Sequence, residues 1–155
     1  MVDSIDQKIL VLIQKNAGLP LSEISKRVGI SSTPCWNRIK KMEESGVISA
    51  KTIVLNRKAI NLPVLVFLSI RVSHHSGNWV AKLQNVIDKY EEIIEAHRLT
   101  GSDGDYLLKI VASSIEQYDI FQQKLIGEVE FSKMSTSISL HEMKSSYTLP
   151  LTQCS

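Results

Sequence analysis

The chain has 155 residues, 43% hydrophobic and 22% charged, with a net charge of +2. That is the composition of a soluble globular protein, sized for one domain or for two small ones near the limit for an adequate core. Its longest apolar run, Leu62 to Ile70, is broken by Pro63 and Ser69 and falls short of the roughly 20 residues a membrane helix needs.

Asp3 stands where a helix N-cap belongs, and Asp6 is favourably placed against the helix dipole. Ile5, Ile9, Leu12 and Ile13 recur at helical spacing, predicting a first helix from about Ser4 to Lys15, ended by Asn16-Ala17-Gly18. Pro20 opens a second helix with Leu21, Ile24 and Val28 on its inner stripe, and Gly29 supplies the left-handed residue of a turn. Ser32-Thr33-Pro34 reads as the start of a third helix, a hydroxyl cap followed by proline. From there Cys35, Ile39 and Met42 lie at i, i+4 and i+7 and should face the first two helices.

Two short helices joined at Val28-Gly29-Ile30, the second presenting Asn37, Lys40 and Lys41, make the helix-turn-helix arrangement for the DNA major groove. Lys40 and Lys41 alone fit a solvated face; with Asn37 and Arg38 beside them on a capped helix they point to DNA. Arg38 either anchors a phosphate or pairs within the module, and Trp36 either stacks on sugar and phosphate or covers the helix edge. Cys35 reads as a small buried apolar group. The candidate DNA contacts are Ser32, Thr33, Pro34, Trp36, Asn37, Arg38, Lys40 and Lys41. Gly46 stops the third helix, and Val47-Ile48 with Thr52-Ile53-Val54-Leu55 predict a β-hairpin, the wing of a winged helix, completing a domain over residues 1–55.

The polar stretch Asn56 to Pro63 reads as a linker. It also divides the charge: residues 1–60 carry ten Lys/Arg and five Asp/Glu, a net +5, whereas the remainder is −3. A basic module on an acidic carrier fits an anion-binding head. From Val64 to Val72 an alternating strand appears, then a helix marked by Trp79, Val80, Leu83, Val86, Ile87 and Tyr90. Strands at about Ile93–Leu99 and Tyr106–Ala112 flank a Gly-rich turn; a helix through Ile115, Tyr118, Phe121, Leu125 and Ile126 follows, and a last strand spans about Lys133 to Glu142. This β-α-β-β-α-β order predicts an α+β, ferredoxin-like plait over 64–155 with both helices on one sheet face. Leu65, Phe67, His97, Leu99 and Leu107 give the other face apolar character, which calls for a partner subunit.

Asp3-Ser-Ile-Asp6-Gln-Lys-Ile-Leu10, Leu21 to Ile30, Ser32 to Glu43 and Gly46-Val-Ile48 resemble the Lrp/AsnC, or feast/famine, transcription regulators, nearest the leucine-responsive branch. Glu91 to Gly101 and Asp105-Tyr-Leu-Leu-Lys109 resemble the same family's ligand-responsive plait domain. The resemblance covers nearly the whole chain and implies a homodimer built by pairing sheets, assembled further into octamers. It also implies a small amino-acid effector such as leucine or methionine, bound between dimers near a Gly-x-x-Asp-Tyr turn. Here that turn reads Gly101-Ser-Asp-Gly-Asp105-Tyr, one residue longer.

Thr100, Gly101 and Ser102 offer hydroxyls and main-chain N–H groups for an effector carboxylate, and Asp103 and Asp105 offer acceptors for its ammonium. Thr136 and Ser137, on the neighbouring edge of the last strand, are expected to complete a site that also takes in Leu99 and Tyr106. The plainer alternative is a solvent-exposed Gly-Asp hairpin turn. No cofactor is expected. The four histidines show no metal-ligand spacing with the cysteines, and no nucleophile elbow, P-loop or dinucleotide fingerprint appears, which argues against an enzyme. A plait that stacks RNA bases needs strand aromatics, and Tyr106-Leu-Leu-Lys provides no such platform. The Met-Val-Asp-Ser start lacks a signal pattern and the cysteines stand 119 positions apart, so a cytosolic, disulfide-free protein is expected, and the family resemblance implies association with a bacterial or archaeal nucleoid.

Overall fold

A computed structural model of the chain describes residues 2–73, 76–101 and 104–151. They form two units: the chain through Val54 together with the chain from Lys144 onward, and Leu55–Met143. This differs from the expected division into 1–55, 56–63 and 64–155. The linker belongs with the plait, and the C-terminal segment belongs with the N-terminal unit.

The first unit holds α1 (Ser4–Ile13), α2 (Leu21–Val28) and α3 (Ser32–Glu44). Asp3 caps α1 by accepting from the N–H groups of Ile5 and Asp6, and the Asp6 carboxylate accepts in return from the Asp3 N–H at 3.1 Å, a reciprocal capping box. Gly29 ends α2 at φ 82°, the left-handed position the turn requires. The cap of α3 is Ser31, one residue earlier than expected, and its side chain makes no capping bond. Ser32, Thr33 and Pro34 are therefore the first three helical residues. The missing N–H of Pro34 costs nothing there, because the first intrahelical bond runs from Cys35 N to Ser31 O at 3.1 Å. Ile9, Ile24, Cys35, Ile39 and Met42 form the buried core, as the helical spacing predicted.

The expected wing hairpin is absent: residues 46–56 hold no strand, and Ile53 and Val54 are 79% and 71% exposed. Ser49-Ala50-Lys51 contains none of the Asn-Gly or Asp-Gly chemistry that closes a tight hairpin, and the apolar run after it has no facing layer to bury against.

The second unit is a four-stranded antiparallel sheet, order β2-β3-β1-β4, formed by β1 (Val64–Arg71), β2 (Ile93–Arg98), β3 (Tyr106–Ala112) and β4 (Lys133–Ile138). Strand β4 ends at Ile138, short of the expected Glu142. Helices α4 (Gly77–Lys89) and α5 (Ile115–Glu128) bury Leu83, Val86, Tyr118, Phe121 and Leu125 against Val66, Leu68, Ile70, Leu108 and Ile110, all on one sheet face. The other face carries buried Leu65 and Val111, half-buried Phe67 and Leu107, and the paired Glu95 and Lys109. Among the described residues no helix is long and apolar enough to cross a membrane.

Each unit holds one tryptophan, Trp36 or Trp79, and one fully buried aliphatic residue that can test it alone, Ile9 or Leu108. In single-tryptophan backgrounds, Ile9→Ala should destabilise the Trp36 unfolding transition, and Leu108→Ala that of Trp79, each by about 2–5 kcal/mol. Urea titration followed by fluorescence measures both.

Candidate nucleic-acid interface and ligand site

Helix α3 is held from inside by Cys35, Ile39 and Met42; burial raises the Cys35 thiol pKa above its ordinary value and removes it from chemistry. Thr33, Pro34, Trp36, Asn37, Lys40 and Lys41 are exposed on the remaining surface. Ser32 is tied to α2 through its hydroxyl, 3.3 Å from that of Ser25. Lys40 Nζ lies 5.1 Å from the Trp36 ring centroid and 3.8 Å from Glu44, so the aromatic face is covered by a cation. Both contacts are solvent-exposed and weak, which leaves the Lys40 ammonium open to exchange for a phosphate.

Arg38 departs from this surface. Its guanidinium donates to Asp3 at 2.6 Å and to Asp6 at 2.8 Å, turning back toward the start of α1. Of the two readings the sequence left open for Arg38, the geometry selects pairing within the module. The Asp6 N–H, the Arg38 guanidinium and the Ile5 N–H hold the Asp3 carboxyl below its ordinary value, and the two carboxylates raise that of Arg38.

In the plait, the β2–β3 turn holds Leu99, Thr100 and Gly101 exposed, with Ser102 and Asp103 outside the described residues. Asp105 is committed to the fold. Its carboxylate accepts from Val72 N at 2.8 Å, its N–H donates to Ile70 O at 2.8 Å, and its carbonyl accepts from Leu99 N at 2.8 Å. Gly104 is buried against β1, where a Cβ would stand 2.1 Å from Ser69 Oγ, so the turn is clamped onto the strand end. Tyr106 is buried, its ring 5.2 Å from that of Trp79.

Thr136 and Ser137 do not join the turn within one chain. They sit on β4, at the sheet edge opposite β2, with β3 and β1 between. Nor do they share a face: the Thr136 hydroxyl meets that of Tyr118 at 2.9 Å on the helix side, and alternation turns Ser137 to the other side, opposite Phe67. Spacing alone could not reveal this, because it depends on which strand ends up central. Sequence reasoning also missed the role of Asp105 in closing the end of β1. Among the described residues no three His, Cys, Asp or Glu side chains converge to hold a metal.

A helix-turn-helix unit with an uncovered basic helix, followed by an antiparallel plait, defines a DNA-binding regulator with a separate ligand-binding domain. Residues 2–49 match the family described as winged helix-turn-helix DNA-binding, and residues 65–149 match the Lrp/AsnC ligand binding domain. The chain is 39% identical over 150 residues to the HTH-type transcriptional regulator Zrp of Zymomonas mobilis, covering 97% of each. An AsnC family transcriptional regulator from Agrobacterium tumefaciens superimposes with a TM-score of 0.92 at 37% identity over 97% of both chains. A transcriptional regulator from Neisseria meningitidis, solved with L-methionine, gives 0.93 at 26% identity over 99% of both. The chain belongs to the Lrp/AsnC family of transcriptional regulators, which are not enzymes.

The Asp3 shift sets a pH dependence. Its carboxyl is lowered from 3.8 by folding, so its contribution to stability is complete above that value and is lost as pH falls through the lower, folded one. Asp3→Asn keeps an acceptor for the cap and removes the charge facing Arg38. The melting-temperature advantage of the native protein over this variant should be constant at neutral pH, shrink as pH falls below about 4 and vanish only below the lowered folded value. Calorimetry across that range measures it.

Proposed function

We propose that α3 reads duplex DNA in the major groove and that the plait domain takes a small amino acid at a subunit boundary, making the protein a sequence-specific, effector-modulated regulator. The carrying observation is the uncovered face of α3, where Thr33, Trp36, Asn37, Lys40 and Lys41 stand together while the opposite face is locked in the core. Lys40 and Lys41 supply charge for phosphates, the first-turn N–H groups of Ser32 and Thr33 supply donors, and the Asn37 carboxamide suits an adenine edge. Arg38 is left out of the contact set and serves as the clamp behind the helix.

For the effector, Thr100 and the main chain at Gly101 offer donors to a carboxylate, with the carboxylates of Asp103 and Asp105 as candidate acceptors for an ammonium. A pocket that also uses Ser137 needs a second copy, since one chain keeps it at the opposite sheet edge. That agrees with a site between dimers. L-methionine in the Neisseria relative supports an amino acid, with methionine and leucine the first to try. Leu140 and Met143, 98% and 88% exposed, and the apolar part of the second sheet face support a homodimer that assembles further.

Lys40→Ala and Lys41→Ala should weaken binding about equally across DNA sequences and flatten the salt dependence by up to about one unit each. Asn37→Ala should relax discrimination at one base position by about 1–3 kcal/mol. An unchanged operator footprint in all three variants overturns this choice of surface. Sedimentation and thermal melting with the twenty amino acids test the effector. A shift in assembly or melting temperature with at least one is expected; no response to any overturns the amino-acid reading.

A further inference from the structure

The chain passes from the first unit to the second near Val54 and returns to the first near Lys144, so two covalent crossings join them. The returning segment has a receptor. Gln14, the C-cap of α1, pairs its carboxamide with the main chain of Leu149 in both directions: Nε2 donates to Leu149 O at 3.1 Å, and Leu149 N donates to Oε1 at 3.0 Å. A carboxamide used this way imitates a neighbouring peptide group. The Leu149 side chain itself is 69% exposed, so recognition at that residue is through the backbone.

Two residues on, half-buried Leu151 lines a cavity of about 440 Å³ with Val11 and Leu12 of α1 and Val28 of α2, under a rim of Lys8 and Arg27. Main-chain pairing at one residue and an apolar anchor two residues later is the pattern by which a groove holds an extended peptide. Neither the capping of α1 nor the core of the helix-turn-helix needs these contacts.

We propose that the α1–α2 groove is a dock for the chain's own C-terminal segment, which forms a second, releasable tether between the plait and the DNA-binding unit. Two solvent-exposed hydrogen bonds and one leucine give a local stability far below that of either core, so the segment opens without unfolding. The proposal rests on the DNA-binding reading only for its consequence. In an oligomer, a second restraint narrows the orientations of each reading head and raises the effective concentration of one head once the other is bound.

Hydrogen exchange on the full chain, native and as Gln14→Ala and Leu151→Ser, tests the dock. The peptide containing Leu149 should be protected by about tenfold or more in the native protein, and the protection should fall in both variants while that of β1 and β3 is unchanged. Exchange of the native peptide at the unstructured rate, or insensitivity to both substitutions, overturns the dock. Protection that rises with protein concentration assigns the groove to a second copy's tail and overturns the tether within one chain.

Affinity for duplexes with two half-sites and with one tests the consequence. The variants should lose about three- to tenfold on two half-sites and nothing on one. Equal loss on both, or loss on neither, overturns the coupling. Failure of the native protein to bind any duplex overturns the DNA reading instead, and the exchange experiment still decides the dock.

Discussion

The orientation of α3 depends on a guanidinium shared by two carboxylates. Arg38 reaches from the middle of the third helix to Asp3 and Asp6 at the start of the first, more than thirty residues away in the chain. The same carboxylates cap α1, so one cluster terminates a helix, neutralises its acidic first turn and fixes a second helix against it. Exposed ion pairs contribute little when they stand alone. Here the Asp6 side chain is only 12% exposed and each carboxylate also accepts a main-chain N–H, so the cluster acts by specifying geometry. Cys35, Ile39 and Met42 hold the helix from within, and Arg38 holds it from the side. Neighbouring residues on a helix are about 100° apart, so a roll fixed by these four also fixes where Asn37, Lys40 and Lys41 project.

The plait domain shows a comparable economy in its β2–β3 turn. A Gly-rich turn with carboxylates reads as a flexible ligand cradle, yet its last carboxylate closes the end of β1 and its second glycine lets the loop lie against Ser69. The rigid half of the turn, Gly104 to Tyr106, is tied to the core strand and to Trp79. The exposed half, Leu99 to Gly101, lies at the end of β2 and is the half to which the proposed reading assigns ligand contact.

The elements legible in the sequence are those decided by local chemistry. Helical spacing gave the Cys35, Ile39 and Met42 stripe, the Asp3 cap followed from one side chain three residues from its target, and strand Tyr106–Ala112, an apolar run bounded by a Gly-rich turn and a serine pair, has the bounds expected of it. Features that depend on distant partners were not legible. A β-rich run at Thr52–Leu55 looks like a strand, but a strand needs a paired edge, and nothing local supplies one. The opposed faces of Thr136 and Ser137 follow from β4 register, and their distance from the turn follows from β1 being central. The destination of the C-terminal segment could not be read either, since Leu149 is held through its main chain, which carries no sequence signal.

That strand order bears on how a regulator of this build would respond to a ligand. An amino acid presents two charged ends and a side chain, and each end gains only when its partners are already in place. A single plait keeps the exposed Leu99–Gly101 end of the turn, beside β2, on the far side of β3 and β1 from the β4 edge, with Leu68, Ile70, Leu108 and Ile110 fully buried in the strands between. On the proposed reading, a ligand that contacts both edges therefore binds an assembly more tightly than a lone subunit, and by linkage it must favour that assembly. Coupling between ligand and quaternary state then follows from sheet topology, with no dedicated switch in the fold.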